Sequence, residues 1–426
     1  MSATTDGLRA ASAGERHINI KCASLIGHSI ECFDFYIYAT AAVLVFARLF
    51  FPTADPTVAT LQSLATFALA FLARPIGSVV FGHLGDRIGR KSTLIATLLT
   101  MGLSTVAIGL LPTYAQIGRV APLLLGLCRF GQGVGLGGEW AGSMLLAVEN
   151  APPGRQAWYG MFPQLGSPVG FFLANGLFLL LAGRTTESEF LAWGWRVPFL
   201  ASGALVLLGL WMRIRLRETP AFTRAVAQHR RVRVPVATVF VDHSRALVAG
   251  LLTSTTTFVL FYLMTVFALT WGTGALGFQR ASFLRLQLGA ILAFALTIPI
   301  SALLSVRLGS RPVMFAATTA IFAFGFAFSE LFSRAGVEWF LVMGLALMGL
   351  MFGSLSTTLA RMFPTQVRYT GASLAFNLAG IVGASMAPYL AVWLASQYGL
   401  KSVGYYLSVA AALSLLGLWL APREVH

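Results

Sequence analysis

Two apolar stretches of the chain carry charged side chains where a membrane helix normally has none. Residues 20–46 read IKCASLIGHSIECFDFYIYATAAVLVF and include Glu31 and Asp34. Residues 120–148 read VAPLLLGLCRFGQGVGLGGEWAGSMLLAV and include Arg129 and Glu139. An ionisable group near the bilayer centre costs about 2.5–3.5 kcal/mol, so it usually faces a bundle interior or a water-filled path. We therefore predict that these four residues serve function, with a buried pair that only holds helices together as the alternative.

Similar apolar segments recur along almost the whole chain. Of the 426 residues, 57% are hydrophobic and 11% are charged, whereas a soluble domain carries about 25% charged residues. Runs of about 20 apolar residues can span hydrocarbon as helices. We predict twelve spans, at about 20–48, 57–83, 92–112, 120–148, 157–182, 196–213, 244–271, 281–306, 312–332, 338–360, 372–396 and 402–421. The predicted fold class is an all-α membrane protein, and a soluble α/β protein is excluded.

The distribution of positive charge indicates membrane topology rather than nucleic-acid binding. The net charge is +15. If both chain ends are cytoplasmic, most Lys and Arg residues fall in inner segments, which is the positive-inside pattern. We therefore expect a multi-pass protein in a lipid bilayer, with both termini cytoplasmic and no nucleic-acid partner. The residues before Ile20 are polar, so no cleavable signal peptide is expected. The three cysteines all fall in spans and fit no metal site, and no cofactor is expected.

The longest connection without an apolar span divides the chain into two sets of six spans. The predicted organisation is a cytoplasmic tail at 1–19, a first six-helix bundle at 20–213, a cytoplasmic linker at 214–243, a second bundle at 244–421 and a tail at 422–426. The halves resemble each other: Arg87-Ile-Gly recurs as Arg307-Leu-Gly, and Pro152…Arg155 as Pro364…Arg368. Two related six-span halves are typical of a duplicated transporter with its substrate site between them.

Helical periodicity gathers the polar residues of the fourth span on one face. At 100° per residue, Arg129, Gln132 and Glu139 fall within an arc of about 80°, and the glycines from Gly126 to Gly142 lie mostly opposite. A bare glycine face lets helix backbones approach closely in lipid, so the polar arc must face the pathway or a buried partner.

The first span also has one polar face. It carries His28, Glu31, Asp34 and Tyr38. We expect that Asp34 and Arg129 can meet if the first and fourth spans are neighbours. His28 is more often a packing residue than a proton relay, and both readings stay open.

The candidate substrate-binding residues come from both halves. In the second half no acid lies inside a span away from the interface, so that half offers hydroxyls and amides, for which a role in helix–helix contact is an equal alternative. Arg74 precedes Pro75, so it either reaches a cavity or bonds carbonyls freed by the proline. The predicted substrate-binding set is Arg129, Gln132, Tyr38, Arg74, Gln164, Thr256, Tyr262 and Asn377.

Several motifs together resemble one known family. The loop motif Gly82-His-Leu-Gly-Asp-Arg-Ile-Gly-Arg-Lys91 resembles that of the major facilitator superfamily. Four further segments resemble its metabolite:proton symporter branch, which includes shikimate, α-ketoglutarate, citrate and proline/betaine carriers. These segments are Glu31–Tyr38, Arg129–Trp140, Gly194–Phe199 and Arg217–Phe222.

The resemblance implies an inner-membrane monomer of two pseudo-symmetric six-helix bundles, which rocks between inward-open and outward-open states. It also implies a cytoplasmic gating set of Asp86, Arg87, Arg90, Lys91, Glu149 and Arg155, to which the internal repeat adds Arg307 and Arg368. The chain departs from the family pattern at Val306 and Arg361, where the family usually has acids. The segment Gly166-Ser-Pro-Val-Gly170 faintly resembles an antiporter motif.

The functional prediction is proton-coupled uptake of a small organic acid or zwitterionic metabolite. Asp34 is expected to carry the coupled proton, with Glu31 and Glu139 as further candidates. When ionised, Asp34 would pair with Arg129; when protonated, it would release Arg129 to bind a substrate carboxylate. Proton-driven export is the alternative, a transporter-like sensor is a third class, and an enzyme is not expected because no nucleophile–base set appears.

Overall fold

The computed structural model describes residues 2–53, 55–87, 90–215, 235–333, 335–364 and 367–422. Within them, the side chains of residues 2–20, 23, 82–83, 85–87, 90–91, 146, 149, 215 and 235 are not described. In these ranges the chain forms helices joined by short connections, without a β-strand. Most of the predicted linker at 214–243 lies outside the described residues, and its last part forms a short helix at Pro235–Asp242.

Among the described residues, twelve helices are long and apolar enough to cross a membrane, which confirms the number of spans predicted from hydropathy. In a bilayer such helices satisfy their backbone hydrogen bonds internally. The helices α1 to α12 are Ser24–Leu49, Pro56–Phe81, Ser92–Leu110, Val120–Leu145, Gln156–Arg184, Gly194–Ile214, Ser244–Gly274, Arg280–Leu308, Ser310–Leu331, Val337–Met362, Arg368–Tyr398 and Leu400–Leu420.

The two halves have matching helix pairs. In the first half α1 packs on α5, α2 on α4 and α3 on α6; in the second, α7 packs on α11, α8 on α10 and α9 on α12. The halves meet where α2 packs on α11 and where α5 packs on α8. The fold is therefore the predicted pair of pseudo-symmetric six-helix bundles.

Several helices depart from regular α-helical geometry. A π-helical turn occupies Ala42–Phe46 in α1, and another occupies Leu263–Phe267 in α7, about 220 residues later and at the equivalent place in the second half. A third lies at Ile381–Ser385 in α11. Helix α4 is interrupted at Gly138–Glu139. Such turns are frequently found at functional sites.

The crossing of α2 and α4 depends on glycine. A Cβ atom on Gly137 would lie 2.8 Å from the carbonyl carbon of Arg74, and one on Gly133 would lie 2.6 Å from the Cα atom of Ala70. Only glycine allows the two backbones to approach this closely. The bare glycine face predicted for the fourth span thus packs on α2 at Gly133 and Gly137. It also packs on α3 at Gly135, where an added Cβ would lie 2.8 Å from the Cβ atom of Met101.

Because the number of spanning helices is even, α1 begins and α12 ends on the same side of the bundle. This side is called the terminal face, and the other side is called the opposite face. Helices α1 and α7 run from the terminal face to the opposite face, and α4 and α10 run back towards it.

Candidate functional site

A cavity of about 70 Å³ lies between the two halves. Helices α1, α2, α4 and α5 line it from the first half, and α7, α10 and α11 from the second. Its polar lining includes His28, Glu31, Arg74, Ser167, Thr257 and Asn377. Its aromatic lining includes Phe35, Trp140, Phe258, Phe261, Tyr262 and Phe376. A space of this size holds several water molecules, so it provides the water-accessible environment that buried charges require.

Two glutamates share one arginine beside this cavity. An Nη2 atom of Arg213 donates to Glu31 at 2.7 Å, and Nη1 of the same residue forms an ion pair with Glu139. The Nδ1 atom of His28 lies 3.0 Å from the other carboxylate oxygen of Glu31. All four residues are buried. Two carboxylates facing one guanidinium leave a net negative charge, which a proton can neutralise.

Arg213 was not among the predicted site residues, because its position at the end of the sixth span suggested the start of the cytoplasmic linker. In the structure its side chain turns inward from the terminal end of α6, and its guanidinium also donates to the carbonyl of Leu94. One signal in the sequence could have indicated Arg213. Glu31 and Glu139 lie inside predicted spans, and no span contains a cation at the same depth to pair with them.

The ion pair that the sequence predicts between ionised Asp34 and Arg129 is not formed in the described part of the chain. Arg129 instead donates to Gln132 at 3.0 Å and stacks on the ring of Tyr38, with its guanidinium carbon 4.1 Å from the ring centroid. The Asp34 carboxyl lies beside the hydroxyls of Thr105 and Ser202.

The physical reason for the separation is competition from neighbouring groups. The rings of Phe35 and Phe67 also lie against the Arg129 guanidinium, at 4.2 and 4.9 Å, and buried arginines gain cation–π energy from such contacts. Gln132 lies between the two residues: its amide nitrogen donates to Thr105 at 2.8 Å and lies 3.5 Å from the backbone carbonyl of Asp34. Oδ1 of Asp34 has no hydrogen-bond partner among the described atoms.

Arg74 lies in the cavity lining, as the first of its two predicted alternatives requires. Its guanidinium carbon is 4.3 Å from the centroid of Phe71 and 4.8 Å from that of Phe35. The side chain is 5% exposed, and no described carboxylate lies within ion-pair distance of it. This cation differs from Arg129, which lies deeper among rings and outside the lining.

The other predicted substrate-binding residues divide between the cavity and helix contacts. Tyr262 and Asn377 line the cavity, and Asn377 also donates to Ser78 at 2.8 Å. Thr256 bonds Ser414 of α12 at 2.8 Å, on the side of α7 away from the lining. Tyr38 and Gln132 bond Thr66 and Thr105 within the first half, and Gln164 donates to the carbonyl of Phe352 across the halves.

On the terminal side of the cavity, α4 and α11 contact each other across the halves. The rings of Trp140 and Phe376 stack with centroids 3.6 Å apart, and the Tyr369 hydroxyl donates to the carbonyl of Gly138 at 2.7 Å. Arg361 donates to Gln156 at 3.3 Å, so the residue that replaces the usual acid still forms a contact between halves.

The predicted gating residues are only partly described. The side chains of Asp86, Arg87, Arg90, Lys91 and Glu149 lie outside the described residues. Arg155 and Arg307 are exposed, and Arg368 donates to the carbonyl of Phe363 at 3.2 Å.

An ion-pair group connects the halves on the opposite face. Glu187, in the connection between α5 and α6, accepts from Arg48 at the end of α1 at 2.6 Å. The same carboxylate oxygen lies 3.6 Å from Arg280 at the start of α8. The hydrogen bond from Arg48 and the nearby positive charges hold the pKa of Glu187 below its usual range. Sequence reasoning missed this contact because its three members are far apart in the chain.

Comparisons with known proteins agree with this architecture. The family model described as sugar (and other) transporter matches residues 20–242. The chain is 54% identical over 412 residues to the inner membrane metabolite transport protein YhjE of Escherichia coli K12, covering 95% of this chain and 94% of the relative. It is 36% identical to the shikimate transporter of the same strain, over 92% of each chain. The solved structure of the proton:xylose symporter XylE bound to 6-bromo-6-deoxy-D-glucose is similar in fold, with a TM-score of 0.74 at 17% identity over 96% of this chain and 97% of that chain.

Proposed function

Because the chain belongs to the sugar (and other) transporter family, as a metabolite transporter of the major facilitator superfamily, we propose that it imports a small organic acid or zwitterionic metabolite together with protons. Members of this family are transporters and not enzymes. The protein works as a monomer in the inner membrane with both termini in the cytoplasm, so that the terminal face is the cytoplasmic face. The two halves rock about the cavity and open it to one side at a time.

The observation that carries the proposal is the set of buried acids beside a cavity between the halves. Glu31, Asp34 and Glu139 are each at most 1% exposed. Arg213 is paired with Glu31 and Glu139, and Asp34 has no cation within ion-pair distance among the described residues. Buried carboxylates without enough cations favour the neutral, protonated form. These acids are therefore suited to take up and release protons as their surroundings change.

Asp34 carries the coupled proton in this proposal. Its carboxyl lies beside two hydroxyls and has no cation partner within ion-pair distance in the described chain, which is an environment for a neutral acid. When Asp34 loses its proton, Arg129 leaves Gln132 and pairs with the carboxylate. The pair between Asp34 and Arg129 thus belongs to a second state of the protein. On passing to that state, Arg129 exchanges Gln132 for the Asp34 carboxylate as its partner.

The driving force depends on the charge of the cargo. One proton crossing 100 mV gains about 2.3 kcal/mol, which supports roughly 50-fold accumulation of a zwitterion. A monoanion moving with one proton carries no net charge, so its accumulation follows the pH difference alone. Electrogenic uptake of an anion requires a second proton, for which Glu31 and Glu139 are the candidates.

Uptake into proteoliposomes tests the assignment of Asp34. In Asp34→Asn, accumulation driven by an imposed proton gradient is expected to disappear, while exchange of labelled for unlabelled cargo persists because it needs no net proton movement. Asp242→Asn, a change at an exposed aspartate outside the spans, is the matched control and retains accumulation. If Asp34→Asn still concentrates its cargo, Asp34 is not the coupling acid.

Proton-driven export is the second direction that the sequence left open, through Gly166-Ser-Pro-Val-Gly170. In the structure a Cβ on Gly166 would lie 2.9 Å from the backbone nitrogen of Ser29, and one on Gly170 would lie 2.7 Å from that of Phe33. These glycines allow α5 to pack closely on α1 and favour neither direction. The sign of the cargo-induced pH change in vesicles distinguishes import from export.

A further inference from the structure

The cavity contains one cation that no acid neutralises. Arg74 lines the cavity, is 5% exposed and forms no ion pair with a described carboxylate. Its Nε atom has no hydrogen-bond partner in the part of the chain that the structure describes. A buried guanidinium without an anion is costly, and the planar fork of an arginine matches a carboxylate. The missing partner is therefore an anion that enters the cavity.

The remaining charges of the lining already have partners. One oxygen of Glu31 accepts from Arg213 at 2.7 Å, and the other lies 3.0 Å from His28. Arg129 lies outside the lining and contacts Gln132 and aromatic rings. Among the described lining residues, Arg74 is thus the one cation without an anionic partner, and no carboxylate is left unpaired for an ammonium group.

A second polar group in the lining is also without a partner, and it comes from the other half. Thr257 of α7 is 2% exposed, lines the cavity, and its Oγ1 has no hydrogen-bond partner among the described atoms. Leaving a buried hydroxyl unpaired is unfavourable, because the group loses its hydrogen bonds to water. A hydroxyl or carbonyl on the cargo would satisfy it. The stacked rings of Trp140 and Phe376 provide an apolar wall for the rest of the molecule.

We infer that the cargo is a small monocarboxylate with an uncharged, oxygen-bearing body, that Arg74 binds its carboxylate, and that Thr257 hydrogen-bonds its body. Since Arg74 belongs to the first half and Thr257 to the second, the bound molecule connects the halves. The inference rests on the proposed transport function and narrows its substrate class. It places the carboxylate at Arg74 and not at Arg129, where the sequence interpretation had placed it.

Calorimetric titration of the purified full-length protein tests the carboxylate site. The probes are the monocarboxylates shikimate, quinate, lactate and gluconate, the methyl ester of each, and 2-oxoglutarate and glycine betaine as a dicarboxylate and a zwitterion. At least one monocarboxylate is expected to bind more tightly than 2-oxoglutarate and glycine betaine do. Arg74→Gln should weaken binding of that acid by about 10–100-fold, the loss of one charge-assisted hydrogen-bonded contact. It should leave binding of the corresponding methyl ester unchanged.

Two further variants guard against loss of folding. Arg74→Lys keeps the charge and should retain part of the preference for acid over ester, and Thr257→Val should weaken the acid and its ester equally. Arg285→Gln, at an exposed arginine that bonds within its own helix, is the control and should bind as the wild type does. Three results would overturn the inference. The ratio of the affinities for acid and ester could be unchanged in Arg74→Gln, 2-oxoglutarate or glycine betaine could bind more tightly than every monocarboxylate, or no monocarboxylate could bind.

The two proposals fail in different ways. If a proton gradient drives accumulation of a probe but Arg74→Gln keeps the acid-to-ester ratio, the carboxylate site is wrong and the transport function stands. If Arg74 determines acid binding but no proton gradient drives accumulation, the site stands and the coupling is wrong.

Discussion

At the scale of single residues, the central feature is how each buried charge is neutralised. Arg213 is shared by Glu31 and Glu139, Arg129 is held by rings and an amide, and Arg74 faces the cavity without an acid. Removing one partner of a buried ion pair is far more harmful than removing both, because a lone charge remains.

Arg213→Gln is therefore expected to lower the free energy of unfolding by about 3–5 kcal/mol, measured as a fall in the thermal midpoint in detergent. Combining it with Glu139→Gln should recover part of the loss, because the repulsion between two unpaired carboxylates disappears. Arg285→Gln controls for the loss of a span arginine. If the loss of stability in the double variant equals the sum of the losses in Arg213→Gln and Glu139→Gln, the two residues do not share an ion pair.

The sequence predicted the buried acids well, since an acid inside an apolar run stands out, and helical periodicity put Glu31 and Asp34 on one face. It could not predict which cation each acid contacts. The direction of the Arg129 side chain depends on Phe67 of α2 and Tyr38 of α1, and these positions follow only from the packing of three helices. Arg213 looked like a linker residue because nothing local shows that its side chain turns inward.

At the scale of elements, the close crossing of α2 and α4 makes a direct prediction. Gly137→Ala should lower the free energy of unfolding by about 1–3 kcal/mol, because the new methyl group would press on the Arg74 backbone. Gly176→Ala in α5 is the matched control, since no atom lies within 4 Å of its added Cβ. There alanine should be neutral or stabilising by up to about 1 kcal/mol. Equal thermal shifts in the two variants would argue against the crossing.

Hydropathy was sufficient to predict the twelve spans, and the bare glycine face of the fourth span was correctly identified as a packing surface. The π-helical turns in α1, α7 and α11 were not predicted, nor was the interruption of α4 at Gly138–Glu139. Such irregularities form where contacts with neighbouring helices replace some of a helix's own backbone hydrogen bonds. The periodicity of apolar residues along the sequence does not show where this replacement occurs.

At the scale of the whole molecule, Glu187 connects the halves on the opposite face. Its lowered pKa means that the contact is present above the usual glutamate range and is lost as pH falls through the lowered value. Glu187→Gln, or acid pH in the wild type, should shift the equilibrium towards opening of that face. An exposed ion pair contributes at most about 1 kcal/mol, so the shift should be no more than about fivefold.

Spin labels at Thr53→Cys and Gln279→Cys, in a variant without the three native cysteines, measure this opening as a longer distance between α1 and α8. Glu189→Gln is the control, because the Glu189 carboxylate accepts hydrogen bonds from Thr186 of its own turn and forms no ion pair with a described cation. A distance distribution that is the same in Glu187→Gln and Glu189→Gln would show that Glu187 does not hold the halves together.

The Gly137 crossing has a mechanical consequence for the cavity. The atom that Gly137 packs against is the backbone carbonyl of Arg74, the same residue whose guanidinium faces the cavity. Because no side chain lies between the two backbones, we expect α2 and α4 to move together when the Arg74 side chain is displaced. Under the carboxylate site that we propose, binding of cargo at Arg74 would therefore act on both of these membrane-spanning helices.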